Sequence, residues 1–223
     1  IMGASKSLME KLILSKKGAF RVSTARFANV AFSNGSLLDG FIFRLQKKQP
    51  LSCPEDIKRF FVTPEQSGQI CLLATFLGET GNIFFPKLDF HKDQIFFKEI
   101  ALDFIKDNGF IPELVKSEKE AKEFDFDNNP EKYPIYFFKT DTSGEKTYEE
   151  FYTDEEDYEI DKYDSIGFIK TSEVEISFEE VLQDFESVFR NQNSNKSDIV
   201  NIINKYVPDF MHIETGKHLD QKM

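Results

Sequence analysis

The sequence is poor in the residue types that mark disulfide-rich and metal-binding proteins. It has no tryptophan, two cysteines and three histidines among 223 residues. Two cysteines are too few for a disulfide framework, and Cys53 and Cys71 lack the spacing of a zinc site, as do the widely separated histidines (His91, His212 and His218). We therefore expect a cytoplasmic protein without a metal site.

Long apolar runs and an excess of positive charge are also missing. The longest purely apolar runs, such as residues 70–74, are far shorter than the roughly 18 residues that a membrane span needs. The net charge is −11, which disfavours general nucleic-acid binding because that depends on Lys and Arg meeting phosphate. With 40% hydrophobic residues and 25 phenylalanines, the composition indicates a globular protein with no membrane span and no nucleic-acid partner.

The charge is distributed unevenly along the chain. The first 50 residues contain nine cations and two anions, a net charge of +7, so the remaining residues carry −18. Local positive charge in an acidic protein suggests an anionic small ligand such as a phosphate compound. The alternative for Lys11, Lys16 and Lys17 is an ordinary solvated helix face. We expect the acidic stretch 149–161 to be solvated loop for most of its length.

Hydrophobic periodicity and turn residues predict alternating helices and strands in the first half of the chain. Thr63, Pro64 and Gln66 have the pattern of a helix start closed by a capping box, and Ser36 is a plausible N-cap before an apolar helix face. We predict helices over 4–16, from Ser36, from Thr63 to Gly78, and over 96–106, 177–189 and 197–206. The apolar face of the helix from Ser36 would consist of Leu37, Leu38, Phe41, Ile42 and Leu45. We also predict strands over 20–27, 82–86 and 135–138, a surface helix or loop over 117–132, and a turn over 141–144. This alternation is typical of the α/β class.

Several short motifs occur in an order that is more specific than any one of them. They are Met-Gly-Ala-Ser-Lys at 2–6, Arg-Phe-Ala-Asn-Val at 26–30 with Ser-Asn-Gly-Ser at 33–36, Arg59 before Thr-Pro-Glu at 63–65, and Gly-Glu-Lys-Thr-Tyr-Glu-Glu at 144–150. Together they resemble the C-terminal part of an extended short-chain dehydrogenase/reductase. More narrowly, they are similar to the CapD-like nucleotide-sugar 4,6-dehydratases of polysaccharide and nonulosonic-acid biosynthesis.

The resemblance implies an α/β fold: the C-terminal part of a Rossmann-type doubly wound parallel sheet plus a smaller mixed α+β substrate-binding lobe. Residues 1–90 would be the end of the NAD(P)-binding domain with segments of the substrate pocket, and 91–223 mostly the substrate-binding and C-terminal lobe. No Gly-x-Gly-x-x-Gly motif occurs in the sequence, and the family's acid/base residues precede its first motif. We therefore expect a fragment that has no catalytic residues of its own and is inactive alone.

The first motif bears on the cofactor and on the reaction. The resemblance implies that Lys6 binds the nicotinamide ribose of NAD(P), and that Met2 stands where most of the superfamily has an acid/base Tyr. A thioether has no proton to exchange. The CapD-like dehydratases carry Met at this position, so Met2 favours a dehydratase over a Tyr-dependent 4-epimerase. The alternative is the first turn of an ordinary helix.

The second motif is predicted to bind the substrate. The resemblance implies that Asn29, at the end of a strand, donates amide hydrogen bonds to a nucleotide-sugar diphosphate, with Ser33, Gly35 and Ser36 forming the turn of the pocket. Open α/β sheets bind ligands at the carboxyl ends of their strands, and backbone N–H groups at a helix N-terminus favour anions. The alternative is a plain loop, since these residue types are common in turns.

Arg59 and Glu149 complete the predicted substrate site. The resemblance implies that the planar guanidinium of Arg59 grips the diphosphate and that the carboxylate of Glu149 accepts hydrogen bonds from ribose hydroxyls. The alternatives are a surface ion pair of Arg59 with Asp56 or Glu65, and a solvated acid at Glu149.

The leading hypothesis is a fragment of a UDP-N-acetylglucosamine-type 4,6-dehydratase. Such an enzyme uses NAD(P) to remove water from a nucleotide sugar, giving a 4-keto-6-deoxy sugar, and we expect the whole protein to be a homo-oligomer. A 4-epimerase or reductase of the same superfamily is the nearest alternative. A non-catalytic nucleotide-sugar-binding protein is the alternative from another class.

Overall fold

The structure, a computed structural model, describes residues 1–16, 20–140, 149–171 and 175–211. Over these ranges the helices are α1 (Met2–Ser15), α2 (Leu37–Gln46), α3 (Pro64–Leu77), α4 (Phe97–Asp107), α5 (Glu118–Lys122), α6 (Phe178–Arg190) and α7 (Lys196–Tyr206). The strands are β1 (Thr24–Ala25), β2 (Asn29–Val30), β3 (Leu51–Pro54), β4 (Lys58–Arg59), β5 (Phe61–Val62), β6 (Asn82–Pro86), β7 (Ile95–Phe96), β8 (Ile111–Val115), β9 (Lys132–Phe138), β10 (Tyr158–Glu159) and β11 (Ile166–Lys170). None of these helices combines the length and the apolar character needed to cross a bilayer.

Two compact units divide the described chain, and each is assembled from separate segments. Unit 1 takes its residues from Ile1–Arg26, Gly68–Lys87 and Phe151–Ile213, of which 17–19, 172–174 and 212–213 lie outside the described residues. Unit 2 consists of Phe27–Ser67 and Leu88–Glu150, of which 141–148 lie outside the described residues. The predicted division at residue 90, between the end of an NAD(P)-binding domain and a substrate-binding lobe, is a division by function and stays a prediction.

Unit 1 contains a four-stranded sheet in the order β1-β6-β11-β10. Strand β1 runs parallel to β6 with Thr24 opposite Ile83, whereas β11 is antiparallel to both of its neighbours. Helix α1 packs through Ala4 and Leu8 against an apolar cluster contributed by α6 and α7. The remaining buried side chains of the unit lie around the sheet, on β6 and β11 in particular.

The strand predicted over 20–27 is shorter in the structure. Only Thr24 and Ala25 form the ladder. Phe20 is 67% exposed and contributes little to the core, and the carbonyl of Val22 accepts a single hydrogen bond from Gly81 N. The alternation of apolar residues over 20–27 therefore predicted too long a strand, because a residue joins a β-ladder only where a partner strand lies in register with it.

Unit 2 is organised around a three-stranded, fully parallel sheet in the order β3-β9-β8. Helices α2 and α4 supply Leu38, Phe41 and Ile105 to a core that Leu51 and Ile135 complete from the sheet. Two short ladders, β2 with β5 (parallel) and β4 with β7 (antiparallel), complete the strands of this unit. Parallel strands need crossover connections, and the helices between them provide these.

Local signals in the sequence correctly located several helix ends. The hydroxyl of Thr63 accepts from Gln66 N at 3.1 Å and the Gln66 side chain accepts from Thr63 N at 2.8 Å, which is the predicted capping box of α3. The hydroxyl of Ser36 caps α2, and α4 ends before Gly109, whose φ is +85°. The prediction was wrong at Ile42, which is exposed on α2 instead of lying on its buried face. The turn predicted over 141–144 lies outside the described residues.

The α/β class is confirmed by this mixture of helices with parallel strands. The doubly wound arrangement and the separate substrate-binding lobe stay predictions.

Candidate functional site

Strand β2 and the turn after it carry the residues of the second motif. Asn29 begins β2, and the chain then turns through residues with positive φ, Phe32 (+56°) and Gly35 (+75°), before Ser36 starts α2. Glycine accepts this left-handed conformation without steric cost, whereas a side chain with a Cβ strains it. Asn29 was predicted at the carboxyl end of a strand, but it lies at the start of the two-residue strand β2, and the turn 31–36 separates this strand from α2.

The backbone donors of this turn already have a partner within the chain. Gly35 N donates to the carboxylate of Asp39 at 3.0 Å, and Asp39 N donates to the Ser36 hydroxyl at 3.2 Å. An acid in the first helical turn is stabilised by the helix dipole. The Gly35 N–H that was predicted to meet an anion thus meets Asp39, and a diphosphate at this turn would have to displace that carboxylate.

Asn29, Arg59 and Glu149, which are far apart in the sequence, lie together in unit 2. The Glu149 carboxylate accepts hydrogen bonds from Asn29 Nδ2 at 2.8 Å and from Phe60 N at 3.3 Å. Arg59 Nε is 3.7 Å from Glu149 Oε1. The pairing of β2 with β5, which places Asn29 opposite Phe61, brings Asn29 beside Arg59 and Phe60. We call Asn29, Arg59 and Glu149 together the Asn29–Arg59–Glu149 cluster.

The cluster holds a largely buried cation against one partly buried carboxylate. The side chain of Arg59 is 10% exposed and that of Glu149 is 29% exposed. A buried guanidinium is costly without an anionic partner, and Glu149 supplies one. The amide of Asn29, the N–H of Phe60 and the guanidinium are also the donor types that bind phosphate. In the structure the Glu149 carboxylate occupies these donors, so a diphosphate bound to them would have to displace it.

Lys6 and Met2 lie in the other unit, on α1. They are one helical turn apart on the same exposed face, and Met2 is 75% exposed, while Ala4 and Leu8 face the core. The exposed ammonium of Lys6 fits a contact with ribose hydroxyls. The sequence has no glycine-rich turn for the phosphates of a dinucleotide. The chain's fit to NAD(P) therefore rests on this one lysine.

A second charged cluster escaped the sequence reasoning. Arg26, at the end of β1, binds both Glu10 from α1 and Glu156, with N–O distances between 2.7 and 3.0 Å. Burial lowers the pKa of Arg26, but the hydrogen bonds that its guanidinium donates to Glu10 and Glu156 outweigh this effect, so the pKa is raised above its ordinary value. The acidic stretch 149–161 is loop for most of its length, as expected, but Glu156 is only partly exposed and binds Arg26, and Tyr158–Glu159 form β10. No spacing in the sequence links positions 10, 26 and 156.

Comparison with known proteins gives the family of the chain. The profile of the family described as polysaccharide biosynthesis protein matches residues 1–171. The chain belongs to this polysaccharide biosynthesis protein family. The resemblance found in the motifs is confirmed at this level.

The individual relatives are distant, and most are longer proteins. An uncharacterized membrane protein of Methanocaldococcus jannaschii is 26% identical over 174 residues, 74% of this chain and 46% of that protein. UDP-glucose 4-epimerases of Rickettsia felis and Rickettsia typhi are 34% identical over 92 residues, 39% of this chain and 27% of theirs. The chain thus spans half or less of the curated relatives it matches.

The fold is shared with solved structures, including that of Pen. The X-ray structure of Pen from Bacillus thuringiensis has a TM-score of 0.55 and 22% sequence identity, covering 79% of this chain and 48% of that one. At this identity the likeness concerns the fold alone. It supports a Rossmann-like α/β arrangement for the chain.

Proposed function

We propose that the chain is the nucleotide-sugar-binding part of an NAD(P)-dependent enzyme whose activity is 4,6-dehydration of UDP-N-acetylglucosamine or a related nucleotide sugar. The observation that carries the binding role is the convergence of Asn29, Arg59 and Glu149 in one cluster. A cation for a diphosphate then lies beside an acceptor for ribose hydroxyls. Both are what a nucleotide sugar requires.

The choice of dehydration over epimerisation depends on Met2. A methionine at the position of the usual acid/base Tyr leaves α1 without a proton donor there. NAD(P), when bound, would supply the hydride chemistry at the sugar carbons that this dehydration needs. Lys6 binds the ribose of that cofactor, and Asn29, Arg59 and Glu149 hold the nucleotide away from the reacting carbons.

A 4-epimerase is the second candidate. It is favoured by the 34% identity of the Rickettsia UDP-glucose 4-epimerases over 92 residues. The two reactions differ in product, since an epimerase returns a sugar with all its oxygens, whereas a dehydratase returns a 4-keto-6-deoxy sugar.

The test uses the intact protein that contains this chain, incubated with UDP-N-acetylglucosamine and NAD(P). Proton NMR should show a C6 methyl signal of the 4-keto-6-deoxy product. Appearance of the 4-epimer without a methyl signal would establish the second candidate and overturn the first. Neither product, together with tight UDP binding, would establish a non-catalytic binding protein.

The binding role is tested separately by calorimetric titration with UDP and with uridine. Arg59→Ala should remove most of the preference for UDP over uridine, because the proposed contact of the guanidinium with the ligand is to the diphosphate, which uridine lacks. Glu149→Ala should lower the affinity for both UDP and uridine, because both ligands carry the ribose. Arg44, whose Nη1 donates to the carbonyl of Pro50 in the same unit, provides the matched control, and Arg44→Ala should leave the preference unchanged.

A further inference from the structure

Two cations at the carboxyl ends of the parallel strands of unit 1 hold one acidic stretch of chain. Arg26 directly follows β1 and Lys87 directly follows β6. Arg26 binds residues near the start of Phe151–Tyr163, and Lys87 Nζ donates to the carbonyls of Ile160 (2.7 Å) and Tyr163 (3.0 Å) near its end. We call residues Phe151–Tyr163 the acidic segment, since it has six acids and one lysine.

The attachment at Arg26 is dense. Its guanidinium makes two hydrogen bonds to Glu10 and two to Glu156, and Nη1 also donates to the carbonyl of Phe151 at 3.0 Å. Glu156 accepts a further hydrogen bond from Thr153 N at 2.9 Å. Paired planar groups of this kind fix orientation as well as distance. The first residues of the acidic segment are therefore cross-linked to both α1 and the end of β1.

Aromatic packing holds the same segment against the sheet. The ring centroid of Phe85 in β6 is 6.3 Å from that of Phe151 and 4.8 Å from that of Tyr152. Further along, Tyr158 and Glu159 form β10, which pairs with β11. Within unit 1 the acidic segment thus packs against the sheet.

The residues of the proposed nucleotide site extend from the two stretches of backbone that Arg26 ties together. Asn29 is three residues after Arg26, and Glu149 is two residues before Phe151. Within unit 1 the two stretches are joined by the bond from Arg26 to the Phe151 carbonyl. Within unit 2 they are joined by the bond from Asn29 to Glu149, at 2.8 Å.

We propose that Arg26 is a positioning residue for the nucleotide site: it holds the backbone from which Glu149 extends, and Lys87 holds the far end of the acidic segment. The inference rests on the proposed function, in which Glu149 meets the ribose. A backbone segment that is already ordered loses less conformational entropy when a ligand binds. A nucleotide therefore binds more tightly when Arg26 holds the backbone that carries Glu149 than when it does not. Arg26 acts on the nucleotide only through Glu149 and does not touch it.

A double-mutant cycle in the intact protein tests this inference, with UDP as the probe. Arg26→Ala should raise the dissociation constant of UDP by about tenfold, which equals about 1.4 kcal/mol and lies within the range of coupling between networked residues. In a Glu149→Ala background the same substitution should have no further effect, because the group it positions is gone. Arg21→Ala is the matched control, an exposed arginine of unit 1 with a hydrogen bond to the Thr75 carbonyl, and it should leave UDP affinity unchanged in both backgrounds.

The outcomes separate the inference from the proposed function. If the effects of Arg26→Ala and Glu149→Ala simply add, Arg26 has only a structural role and the inference is overturned. If Glu149→Ala alone leaves UDP affinity unchanged, the assignment of Glu149 in the proposed function is wrong and the inference falls with it.

A second variant keeps the test decisive if Arg26→Ala does not fold, since that change leaves Glu10 and Glu156 without their cation. Lys87→Ala removes only hydrogen bonds to two carbonyls from an exposed lysine. It should weaken UDP binding by about threefold, a loss at the lower end of the same coupling range. That loss should also vanish in the Glu149→Ala background, and additivity here would contradict the inference equally.

Discussion

Arg59 keeps its guanidinium almost out of contact with water, and this makes it the most informative single substitution. In the intact enzyme, Arg59→Ala should raise KM for the nucleotide sugar about 10- to 150-fold, since a charge-assisted contact contributes about 1.5–3 kcal/mol. Most of the effect should be in KM, because the diphosphate is remote from the reacting carbons. Steady-state kinetics of Arg59→Ala and Arg59→Lys measure it, and the Lys variant should recover only part of the loss because an ammonium lacks the fork geometry. An unchanged KM combined with abolished cofactor reduction would show that Arg59 serves the cofactor instead.

Glu156 gives the folded protein a sensitivity to acid. Burial raises the pKa of its carboxyl, but the hydrogen bonds from Arg26 and from Thr153 N outweigh this, so the pKa lies below its ordinary value of 4.5. A group with a lowered folded-state pKa contributes stability that is present above the unfolded value and is lost as pH falls through the folded one. Melting temperature should therefore decline below about pH 4.5, and Glu156→Gln should flatten that decline.

The neighbouring exposed acid Glu155 is the control for this experiment. Glu155→Gln should leave the slope of melting temperature against pH below 4.5 as steep as in the unmodified protein. Equal slopes for all three proteins would contradict the assignment to Glu156.

At the scale of elements, sequence reasoning succeeded where the signal is local. The capping box of α3 joins Thr63 and Gln66 within one turn, so spacing alone reveals it. The contacts of Arg26 span 16 residues to Glu10 and 130 to Glu156, and no spacing rule reaches that far. Asn29, Arg59 and Glu149 were named from family resemblance, and their convergence depends on strand pairing that one sequence does not display.

Two glycines allow a matched test of packing in two elements. A Cβ added at Gly167 in β11 would lie 2.6 Å from the Phe85 ring, whereas one at Gly40 in α2 would meet nothing within 4 Å. Gly167→Ala should therefore destabilise by about 1–3 kcal/mol, as overpacked cores do. Gly40→Ala should stabilise by about 0.5–1 kcal/mol, since glycine is a poor helix former. Urea denaturation of the two variants measures both, and a stabilising effect of Gly167→Ala would contradict the described packing of Phe85.

The two cysteines, Cys53 in β3 and Cys71 in α3, should differ in their reactivity towards alkylating reagents. Burial, together with the charge of Glu55, raises the pKa of Cys53 to about 12, whereas Cys71 is exposed on α3. Because the thiolate is the reactive form, iodoacetamide at pH 8 should alkylate Cys71 and leave Cys53 unmodified in the folded chain. Mass spectrometry of the peptides identifies the site, and Cys71→Ser should abolish labelling until denaturant is added. Rapid alkylation of Cys53 in the native chain would show that β3 opens readily.

For the molecule as a whole, the 223-residue chain alone should show no dehydratase turnover. Its sequence contains no glycine-rich turn for dinucleotide phosphates, and Met2 offers no proton. The purified chain, incubated with UDP-N-acetylglucosamine and NAD(P), should give no 4-keto-6-deoxy product by NMR. A clear methyl signal under these conditions would mean that the chain catalyses the reaction with groups other than those of the family.

The interleaving of the two units has a consequence for synthesis on the ribosome. Strand β1 pairs with β6, and about 55 residues, most of them belonging to unit 2, separate the two strands along the chain. At roughly 5–20 residues per second, the nascent β1 waits about 3–11 s for its partner. Helix α1 waits longer, because α6 and α7, against which Ala4 and Leu8 pack, are made last among the described helices. The apolar face of α1 therefore stays without its packing partners until α6 and α7 have been synthesised, although α1 precedes them in the chain.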